Sequence, residues 1–193
     1  MSEPHNQFAA PWGTWVRVAT VAATVLLLGI AMLEAAVLPR GLLGGWPWLV
    51  GVAAPLSILV GSALFVVRGY ALADGTLLVR RLLWSTRVPL DGLRAAWPSP
   101  EVMAGAIRLF GNGGLFSITG LFRSSALGRF RAYAMDPKRG VVLELPARKV
   151  VVTPDSPQRF LQELRRLAPA AAIADAEPAP GAPPIGAEAI HPR

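Results

Sequence analysis

The chain has 193 residues, 53% of them apolar and 16% charged, with a mean hydropathy of +0.45, a net charge of +7 and no cysteine. Soluble globular chains carry about 25% charged residues, so the surplus apolar residues must lie where they do not face water, and a membrane is the first such place. The missing thiols exclude disulfides, thiolate metal centres and a cysteine nucleophile together.

Charge divides the chain in three. Residues 1–67 hold Arg17 and Arg40 against Glu3 and Glu34, residues 68–168 hold sixteen Lys and Arg against seven Asp and Glu, and residues 169–193 hold one against three. A neutral apolar front is thus followed by a basic middle and a weakly acidic tail.

In chain order, an N-terminal segment over 1–15 leads into residues 18–38, 21 residues whose one charge is Glu34. At the helical rise this run covers about 31 Å, enough for a hydrocarbon core of about 30 Å. Residues 49–67 are 19 uncharged residues, about 28 Å by the same rise. The short Pro- and Gly-bearing link 39–45 predicts a tight two-span hairpin over 16–67. Trp12 and Trp15 precede the first run and Trp46 and Trp48 the second, where indole rings favour the headgroup layer. The link offers Arg40, whereas Arg68, Arg80, Arg81 and Arg87 follow the second run, which keeps that side, and with two crossings both termini, in the cytoplasm. A cleaved signal peptide needs an apolar core of about 7–15 residues behind a basic start; here the core has 21 residues and Glu3 stands before it. Glu34, one turn from Pro39, is expected to reach the interface. Ala53, Ser57 and Gly61 recur every four residues, as do Ala31 and Ala35, so these small faces are expected to meet within the hairpin, and Pro55 predicts a kink.

After Arg68 the apolar runs shorten and turns punctuate them. Tyr70 to Leu72, the Asp74-Gly75 turn and residues 76–83 predict a hairpin. Residues 87–90 and 93–97 predict two further strands, with Pro89 favouring a sheet edge. Weaker strand signals cover 106–110, 114–118 and 130–134. Residues 136–140 predict a turn that makes a hairpin of Tyr133 and 141–145, and 149–153 predicts a last strand. Asp155 or Ser156 then caps a helix with Pro157 in its first turn and Phe160, Leu161, Leu164 and Leu167 on one face, closed by Arg165 and Arg166 and stopped by Pro169. Residues 169–193, with six prolines and no aromatic residue, predict a disordered tail.

Several motifs of the middle region carry a resemblance: Tyr70, Leu72, Asp74-Gly75 and Leu77; Arg87 to Leu90; Ile107, Arg108, Phe110 to Gly114, Leu115 and Phe116, with Gly120 to Phe122; Gly128 to Phe130 and Tyr133; and Thr153 to Asp155 before Phe160-Leu161. The segment resembles the bacterial pleckstrin-homology-like (PH-like) domains of membrane-anchored proteins, over residues 68–168. The resemblance implies a mainly-β PH-like barrel or sandwich capped by a C-terminal α-helix, attached to two transmembrane α-helices at the bacterial inner membrane. It implies no activity. The eukaryotic lipid-binding members of the wider fold use a basic signature around the first two strands, whereas this chain has an Asp-Gly turn there, so a phosphoinositide pocket is not supported at that place. Arg80 and Arg81, being adjacent, point to opposite faces of a strand, and at most one joins a pocket.

Chemistry for catalysis is thin. His5 and His191 lie near the ends of the chain, no carboxylate pair stands out, and the Gly-rich run at 111–114 lacks the Lys and Ser/Thr of a phosphate loop, reading instead as a turn or bulge. No catalytic residue, metal or cofactor is assigned, and the chain is not expected to be an enzyme. The basic middle suits anionic lipid headgroups, or is a solvated cytoplasmic surface that needs no partner; nucleic acid is disfavoured because the aromatic residues among the arginines sit at core spacing. Arg108, Arg123, Arg129 and Arg131, in the Gly-rich stretch where long loops are expected, are the candidate contacts. The function expected is that of a multi-pass membrane protein presenting a PH-like domain for protein or lipid binding. The alternative is a scaffold that self-associates into homo-oligomers.

Overall fold

In a computed structural model, residues 6–37 and 46–178 are described. The expected link at 39–45 and the tail beyond 178 lie outside them.

Two β-sheets pack on a shared core, and a pair of helices is inserted between the first strand and the second. β1 (Gln7–Ala9) is followed by α1 (Thr14–Val37), α2 (Trp46–Leu64), β2 (Gly69–Ala73), β3 (Thr76–Arg80) and β4 (Ser85–Pro89). These four strands form one antiparallel sheet in the order β1-β2-β3-β4. Asp74 and Gly75 both have positive φ, 47° and 66°, the mirror-image turn that a two-residue hairpin requires. Pro89 lies on the edge strand β4, where its missing N–H costs no ladder bond.

The second sheet holds β5 (Ala95–Pro98), β6 (Ile107–Gly113), β7 (Ile118–Ser124), β8 (Gly128–Ala134), β9 (Val141–Glu144), β10 (Lys149–Val152) and β11 (Ala172–Ile173), in the order β11-β5-β9-β10-β8-β7-β6. The mainly-β sandwich with a C-terminal helix, α3 (Pro157–Leu167), is as the sequence predicted. Ser156 is the N-cap and Pro157 opens the helix, while Phe160, Leu161 and Leu164 are buried. Arg159 and Arg166 stay outside.

Several local expectations are corrected. The strand predicted over 76–83 stops at Arg80, because Arg81 turns inward. The segment 114–118 is mostly a loop, and β7 begins at Ile118. Tyr133 and Val141 do not form a hairpin: β10 lies between β8 and β9, antiparallel to β9 and parallel to β8. The reason is the tight turn in which Leu145 and Arg148 exchange backbone hydrogen bonds; it folds β10 back on β9 and leaves its free edge to β8. The tail begins with order, since Ala172 and Ile173 pair with β5 and Arg165 meets Asp175 at 2.7 Å. Low complexity does not prevent a short alanine-rich segment from adding backbone bonds to an open sheet edge.

The N-terminal segment is part of the domain. Phe8 is buried and meets Phe160 edge to face at 5.1 Å, Ala10 N donates to Arg68 O, and Asp155 N donates to Ala9 O. Val16 and Val67, at the domain ends of the two helices, are fully buried in the same core. The second apolar run, expected to reach Val67 as helix, ends as helix at Leu64 for that reason. A polar pin joins the two sheets inside: Tyr70 Oη donates to Tyr133 O at 2.5 Å and accepts from Thr153 N at 3.1 Å, while Thr153 Oγ1 accepts from Met135 N at 2.9 Å.

α1 and α2 pack against each other. Their domain ends are held by β1 and β2, and at the other end Glu34 lies against Gly51, which places the two helices antiparallel. Among the described residues α1 is the one helix long and apolar enough to cross a membrane, and 17% of its apolar window is buried; the apolar part of α2, Leu49–Leu64, is shorter. Two expectations about their faces fail. Glu34 turns to Gly51, whose missing side chain makes the room, instead of reaching outward. Ala31 is buried but Ala35, Ala53 and Ser57 are exposed, so the small-residue face of α2 points away from α1. Trp12 packs edge to face on Phe116, part of the domain contact. Pro55 is buried within a continuous α2.

Candidate functional site

The chain leaves α2 at Leu64 and enters β2 at Gly69, and the carbonyl of Phe65 in that passage needs a donor because the helix supplies none. Arg81 provides it. Its Nη1 donates to Phe65 O at 2.6 Å and its Nε to Thr86 Oγ1 at 3.2 Å, while Ser117 Oγ reaches the same carbonyl at 3.4 Å. The guanidinium lies over three rings, with its carbon 5.4 Å from the centroid of Phe65, 5.5 Å from that of Tyr133 and 5.9 Å from that of Trp84. Phe65 and Trp84 meet edge to face at 5.2 Å. The short turn after β3, closed by Arg81 N donating to Trp84 O at 2.9 Å, brings Trp84 back over the arginine.

Arg81 is 8% exposed and makes no salt bridge to a carboxylate among the described residues. Burial lowers the pKa of its guanidinium, opposed by the neighbouring Tyr133 and Tyr70 hydroxyls. Withdrawing a cation from water costs several kcal/mol unless partners compensate. Two hydrogen bonds and three ring faces offset part of this, the rings by about 0.5–2 kcal/mol each. Neither hydrogen bond uses Nη2.

Arg81 lines a cavity of about 930 Å³ between the foot of α2, the turn after β3 and the outer face of β6, β7 and β8. Its wall includes Gly61 of α2, Trp84, Arg108, Phe110, Asn112 and Arg131. Among the described residues, three arginines and no carboxylate line it. The volume lies in the range of small-ligand sites, about 300–1,000 Å³. Glycines shape the wall. Gly111 and Gly120 face each other across β6 and β7 with φ of +108° and +147°, and a side chain on either would strike the opposite strand's backbone. Gly113, which lines a neighbouring cavity together with Arg108, leaves the space in which the Arg108 guanidinium lies. The Gly-rich run, expected to be a turn or bulge, is instead the paired end of β6 as far as Gly113, and the turn that follows is tightened by Asn112 Oδ1 accepting from Gly114 N at 3.2 Å and Leu115 N at 3.0 Å.

The four candidate arginines lie on strands, not on the long loops expected. Arg108 and Arg131 line the cavity. Arg123 and Arg129 are exposed and stand directly opposite one another on β7 and β8. Of the adjacent pair, Arg81 joins the cavity while Arg80 turns away to Gln7 Oε1 at 3.0 Å. Sequence reasoning allowed one of Arg80 and Arg81 into a pocket without choosing between them, and it passed over Trp84 and Phe65; the available signal was an aromatic residue three positions after Arg81 and another at the end of the second apolar run.

A family model described as "Bacterial PH domain" matches residues 68–168. No curated protein and no solved structure matches the chain.

Proposed function

The chain belongs to the bacterial PH domain family, and on that footing we propose that it is a two-span inner-membrane protein whose domain sits at the cytoplasmic face and takes an anionic lipid headgroup in the Arg81 cavity. The observation that carries this reading is a buried guanidinium without a carboxylate partner among the described residues, in a cavity with two further arginines, at the point where α2 enters the domain. A phosphate oxygen there would accept from Nη2 and from Arg108 and Arg131, and charge-assisted bonds of this kind are the strong ones.

Two features support the double crossing. β1 and β2 precede and follow the helix pair and are neighbours in one sheet, so one crossing alone would part hydrogen-bonded strands; the pair crosses twice or not at all. The exposed apolar surface of both helices, including Val21, Val25, Leu26 and Leu33 on α1 and Leu49, Ile58 and Val60 on α2, favours twice. A helix of 19 residues falls slightly short of the core and is accommodated by local thinning at modest cost. The arginines after α2 favour the cytoplasmic side.

The test is native mass spectrometry of the full-length protein extracted from mixed phosphatidylcholine and phosphatidylglycerol vesicles. The expected result is selective retention of phosphatidylglycerol, lost in an Arg81→Met, Arg108→Gln, Arg131→Gln variant that still folds. Equal retention by both proteins overturns the headgroup site. The self-associating scaffold is favoured by one observation, the exposed Ala53 and Ser57 face of α2; crosslinked ladders independent of lipid charge would support it.

A further inference from the structure

Beside the cavity, the domain carries an apolar rim that stays exposed. Leu83 is 73% exposed, Phe110 80% and Ile107 68%, with Leu109, Trp84 and Phe65 also exposed. These residues come from three elements: the turn after β3, the edge strand β6, and the passage out of α2. Such a patch on a domain marks an interaction surface.

We propose that this rim, formed by Leu83, Trp84, Ile107, Leu109 and Phe110, inserts into the cytoplasmic leaflet that α2 crosses and so holds the mouth of the Arg81 cavity at headgroup depth. The proposal rests on the membrane reading above and adds the orientation of the domain. Three observations select lipid as the occupant. The rim continues the helix surface, since Trp84 meets Phe65 edge to face directly after α2. The domain stands close to the helices: in the turn between β6 and β7, Phe116 N donates to Thr20 Oγ1 at 2.8 Å, and Thr20 lies about 9 Å along α1 from its start. That turn therefore sits beside the apolar part of α1. Finally, residues 102–135 contain Arg108, Arg123, Arg129 and Arg131 and no carboxylate, so the strands behind the rim are purely cationic. Anionic headgroups attract each such residue by about 1 kcal/mol.

A second copy is the competing occupant, because β6 is an open sheet edge. Pairing two β6 strands about a two-fold axis would bring these like charges together. It would also leave Leu83 and Trp84, on a different element, uncovered.

The chain has no cysteine, so single-cysteine variants of the full-length protein give an unambiguous test. Leu26→Cys, Leu83→Cys, Phe110→Cys and Asp91→Cys, all at exposed positions, are labelled with a nitrobenzoxadiazole fluorophore. Each is reconstituted in phosphatidylcholine and phosphatidylglycerol vesicles containing lipids with a nitroxide on the upper acyl chain. Labels at 26, 83 and 110 are expected to lose most of their fluorescence. The label at 91, beyond the opposite end of β4 from Trp84, is expected to keep it. If 26 is quenched while 83 and 110 behave like 91, the helices are in the membrane but the rim is not, and the proposal falls alone. If 26 also keeps its fluorescence, the membrane reading fails and takes the rim with it. Excimer emission between pyrene labels at 110 without lipid quenching would assign the strip to a second copy and overturn the proposal.

Discussion

Phe8 and Phe160 meet edge to face at 5.1 Å, one in the first strand and the other in the last helix. Arg159 also lies over the Phe8 ring, 4.9 Å from its centroid, and donates to Gln7 O at 3.1 Å. This contact ties the segment before the helix pair into the domain behind it. Replacing Phe8, 3% exposed, by alanine should cost about 3–5 kcal/mol. Chemical unfolding of the detergent-solubilised protein reads this directly. Removing residues 1–9 should destabilise the domain although residues 68–168 stay intact; unchanged stability would mean that β1 is an ornament.

Tyr70 makes the stability of the domain sensitive to alkali. Burial pushes its hydroxyl from 10.0 up to about 12, partly opposed by the bonds with Thr153 and by Arg81. Below pH 10 the phenol is protonated both folded and unfolded, so the full stability is present. Between pH 10 and 12 the unfolded chain releases the proton while the folded one retains it, and stability falls by about 2–3 kcal/mol. Tyr70→Phe should flatten this part of the pH profile while lowering stability near neutrality by about 1–3 kcal/mol, because Tyr133 O and Thr153 N lose their buried partner. Unfolding free energies measured from pH 7 to 12 distinguish the two effects.

Arg81 carries a structural load apart from any ligand. Arg81→Met removes the donors to Phe65 O and Thr86 Oγ1 and should cost about 1–3 kcal/mol. Arg81→Lys keeps the charge but cannot span both acceptors as a planar fork, so its stability should lie between the two. Protease sensitivity between residues 64 and 69 is the local readout. A domain equally stable with methionine would show the contact to be incidental.

Gly111 and Gly120 approach more closely than side chains allow. Gly120→Ala should cost at least about 1 kcal/mol from its positive φ, with more from the collision with Phe110 O. The damage should appear as faster amide exchange across β6 and β7 while β9 and β10 stay protected. Uniform loss across the sheet would contradict a local clash.

The start of the tail protects an edge. Ala172 N and Ala174 N donate to Arg94 O and Ala96 O, both at 2.9 Å, and Ser99 Oγ donates to Glu177 Oε1 at 2.6 Å. Truncation after Ala168 should lower stability by about 1–2 kcal/mol and raise the concentration dependence of aggregation, since β5 becomes an open edge. A tail without effect on either measurement would leave these bonds without consequence.

Amino-acid order alone determined much of this protein. Apolar run length marked both helices, the Asp74-Gly75 turn marked the first hairpin, and the Phe160, Leu161 and Leu164 spacing marked the face of α3, because each is a local pattern that backbone geometry imposes. Of the site, Arg108 and Arg131 were legible as cations within a Gly-rich stretch, though not as neighbours in one cavity. What only the tertiary structure decided depends on residues distant in the chain. Three residues at Gln7–Ala9 are too short to announce a strand until β2 supplies their hydrogen bonds. The place of β10 between β9 and β8 follows from non-local pairing. Arg81 looks like one of sixteen surface cations in its segment until Phe65, Trp84 and Tyr133 close over it. Burial is a property of what surrounds a side chain, and a linear pattern records only the side chain itself.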